Sequence, residues 1–317
     1  MMNIDKFNNL KSKWLAFQAE NPKVRIRDAA KKMHISEAEL LSTEIDDGVS
    51  FLLIDNFKDF IKDVLMIDQI MFLIRNDIVV HEKTIKTQDV ELIESQIINI
   101  KDGNSILLEF DEKLFKYAFF QKKMHANREL RSFQFFNDLG DATLKIYLKS
   151  KDLDAFDDIA LKYESEYNYE IQSELNLNKA ADLESEINID FPFSIDKNKV
   201  IESEISLNSL RLILESASDM KIPILIYGVG LGTVQYHMDT VRNVVDYGPW
   251  LNVIDKKFNL HVLEGGLFKV ILIQCDYNGQ KRYIVDFFDK NNNHVLGVSS
   301  IQGYEGDFLK IINNIKE

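Results

Sequence analysis

Three features of the sequence predict one fold class: α+β, two tandem repeats of one domain, each an antiparallel β-sheet with packed helices. The first is a hairpin that occurs twice. "RSFQFFNDLGDATLKIYL", residues 131 to 148, has the alternation of a buried strand, a tight turn and a second strand, and "RYIVDFFDKNNNHVLGV", residues 282 to 298, has the same layout about 152 positions later. The second is order: helix, strand hairpin, further strands and final hairpin follow one another in both halves, with "FDEKLFKYAFF" matched to "IDKKFNLHVLE". The third is size, since 317 residues at 45% apolar content exceed the usual span of one core. A repeat of this length is too long for a solenoid unit and long enough for a domain. The expected division is a first repeat at 1–150, an acidic helix and linker at 151–204, and a second repeat at 205–317.

The elements follow from local pattern. "FNNLKSKWLAFQAEN" places Phe7, Leu10, Trp14 and Phe17 at helical spacing, and Pro22 ends the run. "RIRDAAKKMHISEAELL" gives two short helices, with Ser36 as N-cap and Glu39 in the capping-box position. From residue 64 the period becomes two. "DQIMFLIRNDIVVHEK", "DVELIESQIINIKDG", "NSILLEFD" and "FKYAFFQKK" read as consecutive antiparallel strands closed by the first hairpin. "AFDDIALKYESEY" reads as a helix inside the acidic segment. "SLNSLRLILESASDM" opens the second half as a helix, strands run from "KIPILIYGVGLGTVQYHM" to the second hairpin, and "GDFLKIINNIKE" closes the chain as a helix. Alternation predicts that one phenylalanine of each pair, Phe135/Phe136 and Phe287/Phe288, is buried.

Charge and composition exclude several classes of function. The net charge is −13, and residues 151 to 204 hold fifteen Asp and Glu against five Lys. Mutual repulsion makes the stretch from about 165 to 200 the expected least ordered part of the chain. An acidic chain without a basic stripe repels nucleic acid and anionic lipid, so neither nucleic acid nor a membrane is an expected partner. No apolar run reaches the ~20 residues of a membrane-spanning helix, and the first residues carry no signal-peptide pattern. The only cysteine, Cys275, cannot form an internal disulfide. A cytoplasmic location is therefore expected.

Local motifs resolve mostly into structure. The helix pair at 25 to 42 resembles a helix-turn-helix, but its second helix is acidic and apolar and offers nothing to a major groove. "YGVGLGT", residues 227 to 233, lacks the following helix of a phosphate loop and reads as a hairpin turn. The six histidines form no i,i+4 pair. His81 in "VVHEK" and His237 in "VQYHM" read as matching strand-end positions of the two repeats. No nucleophile elbow is present.

Taken together, "NP" at 21–22, "RDAAKKMHISEAEL", "IRNDIVVHEK", "FDEKLF", "RSFQFFNDLGDATLKIYL", "IPILIYGVGLGTVQYHM" and "WLNVIDKKFNLHV" resemble the HemS/HmuS/ChuS family of cytoplasmic haem-utilisation proteins. The likeness runs along nearly the whole chain and is weakest between 151 and 205. It implies binding of haem or a related tetrapyrrole, with carriage to a partner or breakdown of the macrocycle; a haem-degrading activity rests on the resemblance alone. Such a site needs an iron donor, cations for two propionates and apolar surface.

Several family features are changed here. The axial histidine motif after the linker is absent, because no histidine occurs between His125 and His237. A family arginine that approaches haem from the first half is replaced by Lys113, which keeps the charge and loses the planar fork. The C-terminal lysine and Tyr/Arg positions are "LIQCDYNG" and "VLGVSSIQ". The candidate cofactor-binding residues are thus Lys113, His237 and His81, with His237 the first choice for the metal and Tyr163, Tyr167 and Tyr169 as phenolate alternatives. The competing expectation is a non-enzymatic interaction module that has lost the haem site and binds a protein partner.

Overall fold

The computed structural model describes residues 4–93, 98–102, 105–125, 127–165, 200–277 and 279–316. The chain opens with three helices, α1 (Ile4–Glu20), α2 (Ile26–Met33) and α3 (Glu37–Ser42). Ser36 caps α3 as its position predicts, its Oγ accepting from the Glu39 amide at 3.1 Å. Strand β1 (Val49–Leu52) and helix α4 (Phe57–Val64) come next, followed by β2 (Gln69–Arg75), β3 (Val79–Lys86), β4 (Val90–Ile93), β5 (Ile98–Asp102) and β6 (Ser105–Phe110). Then come β7 (Tyr117–His125), β8 (Arg128–Phe136), β9 (Ala142–Leu148) and α5 (Leu153–Tyr163). The second half runs β10 (Ile201–Glu204), α6 (Ser209–Met220), β11 (Pro223–Gly230), β12 (Thr233–Thr240), β13 (Val244–Tyr247), β14 (Trp250–Asp255), β15 (Phe258–Leu263), β16 (Lys269–Tyr277), β17 (Gln280–Phe288), β18 (His294–Ser299) and α7 (Glu305–Lys316).

The duplication is explicit in this order. Val49 and Ile201, Tyr117 and Lys269, Arg128 and Gln280, Ala142 and His294, and Leu153 and Glu305 begin matching elements, each pair 152 positions apart. Helix α5 therefore corresponds to α7 and belongs to the first repeat's architecture, and β10 corresponds to β1. Both had been read into the linker from the sequence. The spacing also corrects the matching of "FDEKLFKYAFF" with "IDKKFNLHVLE": the first aligns instead with "VLEGGLFKVIL" at 262–272, and "IDKKF" forms the turn between β14 and β15. The segment expected to be least ordered lies almost wholly outside the described residues.

Neither repeat builds its sheet alone. One nine-stranded antiparallel sheet has the order β1-β7-β8-β9-β2-β3-β15-β14-β13, and the other β10-β16-β17-β18-β11-β12-β6-β5-β4. Each repeat thus gives three strands to one end of its partner's sheet, through β3–β15 and β12–β6 pairings such as His81 with Leu260 and Gln235 with Leu108. Between the sheets, Asn76 ties the halves together. Its Nδ2 donates to the carbonyls of Val229 (2.8 Å) and Val295 (3.1 Å), while its Oδ1 accepts from the amides of Ile78 and Val79.

Helices α4 and α5 cover one face of the first sheet, where Phe57, Phe60, Phe133, Phe135 and Phe156 share a core with Phe110 from β6. On the opposite face Ala38, Leu41 and Ile45 pack against Phe51, Phe119 and Phe136. Because both faces are covered, Phe135 and Phe136 are both buried, contrary to the one-in-two expectation. A register shift between them lets successive residues serve the two cores. In the second sheet, Phe287 is buried among residues of α6 and α7, whereas Phe288 is half-buried, as alternation predicts.

The other face of the second sheet carries Leu225, Tyr227, Val234, Tyr236, Ile273, Cys275 and Ile284, a cluster that among the described residues draws none from a helix. Tyr227 lies across Gly297 on the neighbouring strand and donates to Asp286 Oδ1 at 2.5 Å. A Cβ at 297 would stand 2.0 Å from the ring, so Gly297→Ala is expected to destabilise the fold by about 1–3 kcal/mol. Urea denaturation checks this, with Tyr227→Leu expected to restore part of the loss.

Candidate functional site

Three turns meet where the repeats join and leave a cleft of about 160 Å³ between them. The first connects β6 to β7. Asp111 Oδ1 accepts from the Lys113 amide at 3.0 Å, and successive bonds from the amides of Leu114 and Phe115 to the carbonyls of Asp111 and Glu112 wind it into a single tight turn. The second connects β8 to β9, where Asn137 Oδ1 accepts from the amides of Leu139 and Asp141 at 3.1 and 2.8 Å. The third is the β11–β12 turn at Leu231 and Gly232. Gly232 has φ +74°, and a Cβ there would lie 2.6 Å from Leu114, so the close approach of the two repeats requires glycine. Its carbonyl accepts from the Asp111 amide at 3.0 Å and fixes the first turn to the third. "YGVGLGT" is accordingly a hairpin turn.

Lys113, Leu114, Lys116, Asn137, Asp138, Leu231 and Gly232 line the cleft. Both lysines are exposed, and neither has an ion-pair partner among the described residues. Two cations beside two leucines make a surface suited to the carboxylate-bearing edge of an apolar molecule. At the matching place in the other half, Gly265 and Gly266 stand where Lys113 and Leu114 stand. There Ile78 packs against Gly266, as Leu114 packs against Gly232 in the first, and Leu267 is buried.

The structure brings His81 and His237 together and leaves Lys113 apart from them. Both histidines lie in the middle of strands, not at their ends, and face the interior between the sheets. The turns Asn76–Val79 and Gly230–Thr233 align at a spacing of 154, so Lys83 is the counterpart of His237, and Gln235 that of His81. The two histidines are therefore not matching positions.

His81 is fully buried against the Phe258 ring at 4.9 Å, and neither of its ring nitrogens completes a hydrogen bond. Burial, reinforced by the Lys83 charge and opposed by the nearby Ile226 carbonyl, lowers its pKa to about 3. His237 stacks on Phe258 with centroids 3.7 Å apart, and its Nδ1 lies 2.8 Å from Lys83 Nζ. Since an ammonium only donates, Nδ1 is the acceptor and the proton sits on Nε2, which is buried without a partner. Burial and then the Lys83 charge push this pKa down to about 2.

A haem-type ligand finds part of what it needs here. The cleft supplies cations and apolar contact, but no imidazole, phenol, thiol or thioether lines it. Among the described residues no three His, Cys, Asp or Glu side chains are grouped to hold a metal. Tyr163 donates to Asp63 Oδ2 at 2.6 Å on α4, which fits a structural role, while Tyr167 and Tyr169 lie outside the described residues. Lys116 and Leu231 were missed in the sequence. Lys116 was read only as the start of a strand, although its three-residue spacing from Lys113 in "DEKLFK" was visible. No helix of the described residues is long and apolar enough to cross a membrane.

This architecture, a duplicated α+β fold with exchanged strands and a cleft bearing two lysines at the junction, defines a class of two-repeat proteins. The model of the haemin-degrading HemS/ChuX domain matches residues 34–163 and again 199–302, and the chain belongs to that family. It is 23% identical over 278 residues to the hemin transport protein HemS of Yersinia enterocolitica, covering 79% of this chain and 80% of that protein. Against the hemin transport protein HmuS of Yersinia pestis the identity is 24%, covering 81% of each. Among solved structures, the heme-degrading enzyme ChuS of Escherichia coli O157:H7 superposes with a TM-score of 0.83 at 20% identity, over 97% of this chain and 98% of that one. Holo-PhuS, a heme-binding protein from Pseudomonas aeruginosa, gives 0.81 at 19% identity, over 98% and 99%. These two likenesses carry the fold.

Proposed function

We propose that the protein binds haem or a related tetrapyrrole in haem utilisation, carrying it or assisting its degradation in the cytoplasm. The observation that carries this reading is the match of the haemin-degrading domain model to both halves of the chain. The relatives named above are a hemin transport protein, a heme-degrading enzyme and a heme-binding protein, and the cleft at the repeat junction adds local support. Lys113 faces that cleft from the first repeat and is assigned to a propionate.

Lys113→Ala is expected to weaken hemin affinity by the value of one charge-assisted contact, about 1.5–3 kcal/mol. Following the Soret band during titration of both proteins checks this. Unchanged affinity in the variant removes Lys113 from the site. His81 and His237 are assigned to the fold and not to iron, because their surroundings are packed. His237→Gln is therefore expected to leave the hemin spectrum of the folded protein intact. The interaction-module reading is favoured by one observation, the lack of an imidazole, phenol, thiol or thioether in the cleft lining, and it takes over if hemin does not bind.

A further inference from the structure

We infer that the edge strand β13 is a docking surface for a second copy of this chain, which pairs with it antiparallel about a twofold axis at Val245, so that the sheet ending in β13 continues from one copy into the other. The inference is independent of the haem reading. The two sheets end in four edge strands, β1 and β13 in one, β10 and β4 in the other. An edge offers a row of unpaired amides and carbonyls to a further strand unless something blocks it. Three of the four are blocked. Along β1, the Asp46 and Ser165 amides donate to the carbonyls of Val49 and Phe51, so neighbouring segments of the chain already occupy that edge. Strand β10 exposes Glu202 and Glu204, whose like charges repel an approaching copy. In β4, Val90 and Leu92 pack against the first core, and the exposed residue is Glu91.

Strand β13 has no such protection. Val245 is 47% exposed and Tyr247 82%, both on the face they share with Asn252 and Trp250 of β14. The one carboxylate of the strand, Asp246, is neutralised by Arg211 of α6 at 2.7 Å on the opposite face. The direction of the backbone follows from the Ile254 amide, which donates to the Asn243 carbonyl at 2.9 Å. By alternation Val245 and Tyr247 also turn their backbone groups toward β14, and Val244 and Asp246 turn theirs away from the sheet.

A second copy satisfies all of these groups at once. In an antiparallel pair centred on Val245, Val244 of each chain exchanges both backbone bonds with Asp246 of the other, and Val245 meets its own copy where side chains of a sheet approach most closely. The charges fit the same register. Arg242 lies two positions before Val244, so it falls diagonally beside Asp246 of the other copy, cation against carboxylate, and both side chains are more than half exposed. A strand of four residues covers less than the roughly 800 Å² per partner of a standard interface, so the association is weak and reversible.

Sedimentation velocity of the full chain without hemin, from about 1 µM to about 1 mM, tests this. The weight-average coefficient is expected to rise with concentration from that of a monomer toward that of a dimer. Val245→Lys sets two ammonium groups opposite each other and Val245→Glu two carboxylates, so each variant alone should associate at least about tenfold more weakly. An equimolar mixture of the two should recover a heterodimer, because each Lys then faces a Glu, and this recovery shows that both variants are folded. Leu161→Lys, at an exposed apolar position on α5, should associate as the unaltered chain does. A chain that stays monomeric at the highest concentration overturns the inference and leaves the edge to a strand of another protein or to water. A dimer that Val245→Lys does not weaken places the interface elsewhere, and variants that fail to recombine overturn the pairing at Val245.

Discussion

Between pH 6.5 and 5.0 the protein is expected to lose about 3 kcal/mol of stability, before most carboxylates begin to titrate. The cause is the pair of buried neutral imidazoles at the junction of the two sheets. His81 and His237 have folded-state pKa values of about 3 and about 2, far below the ordinary value of 6.5. A group whose pKa is lowered by folding binds more protons when unfolded. Its stabilisation is therefore full above the unfolded pKa of about 6.5 and is lost as pH falls below it, at about 1.4 kcal/mol per pH unit per histidine. Burial explains most of the depression, and Lys83 opposes a second positive charge beside it. Urea denaturation at several pH values measures the slope. His81→Leu removes one titrating group and should lower that slope by about half. A wild-type midpoint that stays constant across this window contradicts the assignment of both rings to the neutral interior.

Removing the carboxylate of Glu37 is expected to cost about 3–5 kcal/mol, the range for breaking a buried ion pair by deleting one partner. Lys145 Nζ lies 2.5 Å from Glu37 Oε1, both side chains are less than a tenth exposed, and Arg27 approaches the other oxygen at 3.7 Å. Burial opposes ionisation of both groups, yet pairing wins for Glu37 and not for Lys145, whose pKa is lowered. The asymmetry has a cause. Glu37 faces Lys145, Arg27 and Arg75, all of which favour its charged form, whereas Lys145 gains from Glu37 alone and is opposed by burial and by both arginines. Glu37→Gln should therefore destabilise at least as much as Lys145→Met, because it leaves three cations without their common counter-charge beneath α2 and α3. Denaturant midpoints of the two variants provide the comparison. A loss below about 0.5 kcal/mol for Glu37→Gln contradicts the account.

Much of this fold was legible because its signals are local. The Ser36 cap, the two FF hairpins and the glycine turn at 230–232 each depend on a few neighbouring residues, and each formed as expected. The exchange of β4–β6 and β13–β15 between sheets was not legible. A strand's alternation records that it has two faces but not which strand lies beside it, and the β6–β12 pairing joins residues more than 120 positions apart. The same limit misplaced the two histidines. The sequence reading ends the strands at His81 and His237, but β3 continues to Lys86 and β12 to Thr240. Phe136 was misjudged because burial on a second face depends on α3, which packs there from far earlier in the chain.

The site was legible in part. Lys113 could be found by likeness to a family stretch, but a cleft made by three turns from two repeats has no linear pattern, so Lys116 and Leu231 emerged only from the packing. The contact of Ile78 with Gly266 across the junction was equally invisible, since the two residues lie far apart in the chain.

The most direct test of the central claim is an equilibrium titration of the full chain with hemin, following the Soret band at constant protein concentration. The account predicts a saturable shift that ends at one equivalent per chain, despite the duplicated domain, because the second half carries Gly265 and Gly266 where the first carries Lys113 and Leu114. An absorbance that rises as for free hemin, with no saturation, would contradict the claim that this protein is a haem-binding member of its family.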